Sequence, residues 1–268
     1  MTRIEKRVAR RPGRWAPCLL LLATTGPAAA GQGTEPPARP DVPPTIVTDR
    51  PDFTESSLAI PRGMLQIESG FTYTANSDGT RLFNIPETLF RWGIGGKTEI
   101  RLAPADFLIG RNGKTRRGFG DTYLGFKREL GSLGGFDLAL MPAVTLPTSS
   151  RGFGSGSIDP EIVLTWARDL KSAWSVGGIL GMAWPREPGN RNTTFFPTIS
   201  FSRSLGGRLG WFFEYAGTFS ESGDDVHLLH HGYTYLLNNN SQLDLHGGFG
   251  ISRAAPDFFI GAGYSVRF

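Results

Sequence analysis

The feature that most constrains this chain is an alternation of period two. From residue 64 to Phe268, apolar side chains recur at every second position, in segments separated by Gly, Asn, Ser and Pro. In "LQIESGFTY", Leu65, Ile67, Phe71 and Tyr73 share one face, while Gln66, Glu68 and Thr72 take the other. "WFFEYAG" sets Trp211, Phe213 and Tyr215 against Glu214. "LDLHGGFGI" sets Leu243, Leu245, Phe249 and Ile251 against Asp244 and His246. "DFFIGAGYSVRF" sets Phe258, Ile260, Tyr264, Val266 and Phe268 against Ser265 and Arg267. No run of 18 apolar residues occurs after the N-terminal segment, which argues against a helical membrane protein.

Twelve such segments are expected, near 64–74, 82–92, 97–104, 118–129, 135–147, 159–168, 172–184, 194–203, 208–219, 226–237, 241–252 and 257–268. Pro86 and Pro142 interrupt the second and fifth, because proline cannot donate to a strand ladder. Connections after even segments are short: "GIGG", "LGSLGG", "DLK", "SLGG", "NNN". Most of those after odd segments are longer: "PADFLIGRNGKTRRGF", "PTSSRGFGSGSI", "PREPGNRNTT", "FSESGDD". Short turns on one side and long loops on the other are the pattern of a bacterial outer-membrane barrel, and a soluble sandwich predicts no such asymmetry. The expected fold class is all-β, a transmembrane antiparallel up-and-down β-barrel of about 12 strands.

The apolar parity is rich in aromatic residues, among them Phe90, Trp92, Trp166, Trp174, Trp184, Trp211, Tyr215, Tyr233 and Tyr235, many near segment ends where a membrane-interface belt would sit. The opposite parity carries Glu68, Glu87, Glu99, Asp121, Glu161, Glu214 and Asp244 as acids, and Arg91, Arg101, Lys127 and Arg267 as bases. On a lipid face, each basic residue at the midplane would cost ~2–4 kcal/mol, so this parity belongs inside, as candidate pore-lining and selectivity residues.

The two ends agree with export. Residues 1–14 hold Arg3, Lys6, Arg7, Arg10, Arg11 and Arg14 against Glu5, and "CLLLLATTGPAAA" follows, so 1–30 reads as a secretory signal peptide. Residues 31–47 read as a Pro-rich periplasmic linker, 48–62 as an N-terminal arm and 63–268 as the barrel. Removing the signal takes away six bases and one acid and leaves 22 Lys+Arg against 23 Asp+Glu. No basic excess then remains to neutralise phosphates, so no nucleic-acid partner is expected. Cys18, the only cysteine, leaves with the signal. At the other end Tyr264, Val266 and Phe268 share one parity, as in a terminal strand read by the barrel-assembly machinery.

The blocks "TDRPDFTESSLAIPRGMLQIESGFTY", "NIPETLFRWGI", "GFGDTYLGFKREL", "LPTSSRGFGSGSIDPEIVLTWARDL", "WFFEYAG" and "NNNSQLDLHGGFGISRAAPDFFIGAGYSVRF" together resemble the outer-membrane transporter family of phenol-degradation MetA-pathway proteins. The resemblance runs from about Thr48 to Phe268. It implies handling of aromatic compounds and names neither a solute nor a catalytic motif.

Other candidate sites are weaker. His227 and His231 share a parity while His230 points the other way, and His230 and His246 could meet in the lumen; a hydrated pore position is favoured over a metal site. Ser241, Ser252 and His246 offer the elements of a lipid-modifying set, but no nucleophile motif singles them out. "GSGS" at 154–157 lacks the Lys of a phosphate loop. Arg111, Lys114, Arg116 and Arg117 either contact lipopolysaccharide phosphates or form a solvated loop. The cluster Asp49, Arg50, Asp52 and Glu55 lies just before the first strand, with no base or nucleophile beside it. It is expected to tuck into the periplasmic mouth, Arg50 pairing with Glu68 or Glu99, and the three acids facing Arg91, Arg101, Lys127 or Arg267.

The expected function is passive passage of a small aromatic or hydrophobic solute, without cofactor, metal or catalysis. The alternatives are an outer-membrane enzyme or structural barrel with a plugged lumen, and a secreted soluble β protein. Phospholipid and lipopolysaccharide are the expected surroundings.

Overall fold

The computed structural model describes residues 44–187 and 190–268. The expected signal peptide, Cys18 and most of the Pro-rich linker lie outside the described residues. The rest is strand and connection. The strands are β1 (Leu65–Ala75), β2 (Arg81–Ile85), β3 (Leu89–Gly95), β4 (Thr98–Ala103) and β5 (Phe107–Asn112). Then come β6 (Lys114–Phe119), β7 (Thr122–Leu133), β8 (Phe136–Leu146), β9 (Asp159–Asp169) and β10 (Trp174–Ala183). The last are β11 (Thr194–Gly206), β12 (Leu209–Ser220), β13 (Val226–Asn238), β14 (Ser241–Gly250) and β15 (Phe258–Arg267).

All neighbours are antiparallel, and β15 pairs with β1 from Gln66↔Arg267 to Ala75↔Phe258, which closes the sheet on itself. β1 pairs with β3 through its first half and with β2 through its second, so β2 and β3 are one barrel position broken in the middle. In the same way β5 continues β4 and β6 precedes β7. Three of the fifteen strands are thus outer extensions of others, and the barrel has twelve positions. Closure leaves no free edge around the twelve barrel positions, which is the condition for a spanning sheet; among the described strands only the outer extension β6 has one unpaired side.

Two departures from the sequence reading have local causes. The stretch 104–119, expected as the longest loop, is a β-hairpin: β5 and β6 pair from Phe107↔Phe119 to Asn112↔Lys114 and turn at Gly113, whose φ is 67°. The Asn112-Gly113 turn signal was present; the density of Arg, Lys and Gly masked it. At Pro86 the second position breaks between Ile85 and Leu89, and the interruption turns Glu87 (φ 45°) toward the lumen. Pro142, by contrast, stays within β8, and the β7 ladder is merely unpaired between Gly125↔Ala143 and Arg128↔Leu140.

The parity assignment holds along the strands. Trp92, Leu124, Phe126, Leu180, Phe213, Leu245, Phe249 and Ile260 are exposed on the outer surface. Gln66, Glu68, Arg91, Glu99, Arg101, Lys127 and Glu214 are fully buried within. Aromatic side chains gather toward the short-turn end, where Trp174 meets Trp211 edge-on at 6.1 Å and Phe136 meets Trp166 at 5.9 Å. A second group, Tyr73 with Phe258 and Phe195 with Phe219, sits at the long-loop end. Two aromatic rims around an apolar band are the profile of a barrel that spans a membrane, with the short turns on the periplasmic side.

Candidate functional site: an arm inside the barrel

Residues 44–62 run inside the lumen, from the turn between β13 and β14 up to Phe53 and back to the start of β1. They carry no strand of their own, so their backbone groups need partners from the wall. Ile46 donates its N–H to the Asn239 carbonyl at 2.7 Å, and Arg267 donates to the carbonyl of Pro44 and to Asn240 Oδ1. The bound arm therefore includes Pro44 and Ile46, which precede Thr48.

Wall carboxylates hold the arm by its backbone. Glu68 accepts from the amides of Asp49 and Arg50, each at 2.9 Å. Glu214 accepts from Phe53 N (2.9 Å), Thr54 N (2.6 Å) and Thr54 Oγ1 (2.6 Å). Glu99 accepts from Ile60 N at 2.7 Å and Glu129 from Ala59 N at 2.9 Å. In the other direction Arg91 donates to the carbonyls of Val47 and Leu58. An irregular segment becomes tolerable at membrane depth because the wall supplies these bonds.

The arm's side chains complete the charge pattern. Asp49 lies 2.8 Å from Lys127 Nζ and 3.2 Å from Arg91 Nη1, and it also accepts from Arg101 and from the Ser56 amide. Burial alone would raise the Asp49 carboxyl; Arg91, Lys127 and Arg101 overcome this and hold it far below the usual carboxylate range. Glu55 pairs with Arg101 at 2.6 Å. On the opposite side Arg50 reaches Glu87 at 3.1 Å and Asp244 at 3.4 Å. A slot receives it: Gly70 and Gly263 are direct cross-strand partners, and a Cβ on either would lie 2.4 Å from the Arg50 guanidinium. Asp49 and Glu55 thus face the basic wall of β3, β4 and β7, and Arg50 faces acids on the other side.

Some expectations were wrong in detail. Arg50 pairs with Glu87 and Asp244; Glu68 takes its backbone amide instead, and Glu99 lies across the lumen on the side of the basic wall. Asp52 has no ion-pair partner among the described residues. Arg267 binds the arm's backbone rather than its acids. Asp121 lies at the outer end, where it accepts from the Ser149 amide and pins an outer loop. Glu161 forms no ion pair among the described residues.

His230 and His246 do meet, Nε2 to Nδ1 at 3.0 Å, and His230 Nδ1 lies 2.9 Å from Glu214. Phe53, the tip of the arm, packs on them, 4.7 Å from the His230 ring and 5.8 Å from Phe259. Among the described residues no group of three or more His, Cys, Asp and Glu side chains could hold a metal ion. Ser241 and Ser252 do not join His246. Ser252 is tied to the Asp225 carbonyl and the His227 amide in the outer loops, and Ser241 sits at the opposite end of β14. Arg111, Lys114, Arg116 and Arg117 are exposed on the outer β5–β6 hairpin. Tyr264 and Phe268 face outward on the closing strand, and Phe268 exchanges backbone bonds with Leu65. Sequence reading put Gln66 on the inward face without a role and did not single out Gln242 or Phe53; Gln66 donates to the Val47 carbonyl at 2.9 Å and Gln242 to Thr48 Oγ1 at 2.8 Å, so both glutamines hold the arm.

The arm does not fill the lumen. A cavity of about 740 Å³ lies between it and β9–β13 at the periplasmic end, bounded by Thr48, Asp52, Trp174, Arg203, Phe212 and Gln242 among others. A narrower one of about 140 Å³ continues beside it.

The family model described as "Putative MetA-pathway of phenol degradation" matches residues 48–268. No curated protein matches the chain. Among solved structures, an outer-membrane channel from Pseudomonas putida F1 superposes with a TM-score of 0.57 at 11% identity, over 79% of this chain and 98% of that one. The NanC porin superposes at 0.53 with 7% identity, over 75% and 98%. KdgM, a porin solved with a disordered oligogalacturonate, gives 0.50 at 10% identity, over 76% and 99%. At these identities the likeness is one of fold.

Proposed function

The chain belongs to this phenol-degradation MetA-pathway family, and on that premise we propose that it is an outer-membrane channel through which small aromatic or hydrophobic solutes move down their gradients. The observation that carries the reading is a lumen only partly occupied. One wall is neutralised by the arm, and the other borders two adjoining cavities of about 740 Å³ and 140 Å³. A barrel built only as a structural element has no need of a separately held insert. The solved barrels of the same architecture are named as channels and porins, which supports the reading. Among the described residues neither Ser241 nor Ser252 meets His246, and Glu68, Arg91, Glu99, Arg101, Lys127, Glu214 and Asp244 are used to hold the arm.

In this reading the inward acids and bases act on selectivity indirectly, by fixing where the arm leaves room. Purified barrel is placed in a planar lipid bilayer and compared with a chain lacking residues 44–56. The intact chain is expected to show small conductance steps and the shortened one steps several times larger. Two silent barrels, both of which show heat-modifiable migration, would replace the channel by a sealed structural barrel.

A further inference from the structure

The outward face of the β2, β5 and β6 extension ends in arginines. Its registers stack the side chains in rows that rise toward the outer tip. The lowest row joins Ile85, Phe107 and Phe119. The next joins Tyr73 of β1 with Phe83, Ile109 and Arg117. The topmost joins Arg81, Arg111 and Thr115. Phe107 and Phe119 lie 5.3 Å apart, and Tyr73 lies 6.1 Å from Phe258 on the closing strand. An aromatic belt therefore ends directly beneath the arginines.

The same registers divide the four bases of the hairpin into two pairs. Lys114 and Arg116 alternate to the inner face, opposite Asn112 and Gly110. There the Arg116 guanidinium lies 5.5 Å from the Phe153 ring of an outer loop, and a Cβ on Gly118 would lie 2.6 Å from that ring. Arg111 and Arg117 stay outside. Arg81, which the sequence pattern did not single out, joins them as the direct cross-strand partner of Arg111. Like charges directly opposite each other on a sheet repel. Among the described residues no ion pair relieves these three. Arg81 Nη1 donates to the carbonyls of Asn76 and Thr80 at 2.8 Å and 3.0 Å, and Asp78 on the same turn accepts from the Thr80 amide instead. The cluster is unfavourable by itself and is relieved by an anion held from outside the barrel.

We propose that Arg81, Arg111 and Arg117 form a binding site for a phosphate group of lipopolysaccharide in the outer leaflet, whose acyl chains lie down the aromatic rows beneath. Guanidinium groups pair with phosphate oxygens through parallel N–H bonds, and the Thr115 hydroxyl adds a donor in the top row. The belt sets the arginines at the height where apolar tails give way to charged headgroups. Charge and apolar surface together select this occupant over a soluble anion, which gains nothing from the rows. Of the four bases expected at lipopolysaccharide, Lys114 and Arg116 face away from the lipid, and Arg81 of the preceding hairpin takes their place.

The test measures binding of fluorescent deep-rough lipopolysaccharide to barrels refolded in detergent from inclusion bodies, so that no native lipid is carried over. Each barrel is first required to show heat-modifiable migration. Arg81→Gln, Arg111→Gln and Arg117→Gln together are expected to weaken binding at least tenfold. Lys114→Gln with Arg116→Gln is expected to change it less than twofold. The parent is expected to bind the same lipid stripped of its phosphates at least tenfold more weakly. Equal losses in the two variants, or no loss in the first, overturns the site. Equal binding of the stripped lipid leaves an apolar contact and overturns the phosphate assignment. Full displacement by saturating inorganic phosphate, at an ionic strength matched with chloride, makes this a soluble-anion site and overturns the choice of lipid. If the triple variant does not fold, Arg111→Gln takes its place with at least a threefold loss expected, and the comparison of the two lipids on the parent is unaffected.

Discussion

Asp49→Asn isolates what holds the arm. Charge counting predicts little effect. The buried cluster has four acids, Asp49, Glu55, Glu68 and Glu99, against Arg91, Arg101 and Lys127, so neutralising one acid balances it. Local geometry predicts the opposite. Arg91 keeps Glu68 and Glu99 at 2.9 Å, and Arg101 keeps Glu99 at 2.9 Å and Glu55 at 2.6 Å. Lys127 keeps only Glu99, at 3.9 Å, once its 2.8 Å partner is gone. One buried ammonium is left nearly alone, a change that costs roughly 3–5 kcal/mol. Applied to the docked arm, this lowers the docking constant by about two to three and a half orders of magnitude. Replacing Lys127 as well should restore docking, because removing both partners of a buried pair is close to neutral. Single-channel recording reads the outcome. Asp49→Asn should show frequent large openings, and Asp49→Asn with Lys127→Met should return toward the parent. If the single and double variants behave alike, the pair does not hold the arm and the argument from local geometry is wrong.

Other outcomes follow from the same contacts. Glu214→Ala removes the acceptor for Phe53 N, Thr54 N and Thr54 Oγ1, and hydrogen exchange should show loss of protection at those two amides by a factor of ten or more, with the strand amides of β12 unaffected. Gly263→Val closes the slot for Arg50, whose guanidinium lies 2.4 Å from the position of the new Cβ; larger conductance with an unchanged barrel melt is expected. Leu245→Arg puts a cation on the outer face midway along β14 and should destabilise the folded barrel by ~2–4 kcal/mol in denaturant titrations in lipid vesicles. Changing Arg111, Lys114, Arg116 and Arg117 to Ser should weaken co-purification with lipopolysaccharide; unchanged binding would make the outer hairpin a solvated one.

The barrel was legible because its information is local and repeated. Each strand states its inward and outward faces by parity, and lipid outside forces the apolar parity outward. The turn asymmetry then gives closure and orientation. The inward residues Glu68, Arg91, Glu99, Arg101, Lys127, Glu214 and Asp244 could be named for the same reason, and so could a tucked "TDRPDFTES". What local pattern does not contain is distance across the lumen. Parity shows that Glu87 and Asp244 point inward, but not that both border a two-glycine slot that holds Arg50. Nor does it show that Ser200 and Thr165 lack partners, since that depends on which wall the arm leaves bare. The sequence by itself determined the closed sheet, its faces and its direction. The tertiary structure alone decided that the charges serve the arm, and that the open space lies against β9–β13, because pairing across a barrel joins residues more than two hundred positions apart.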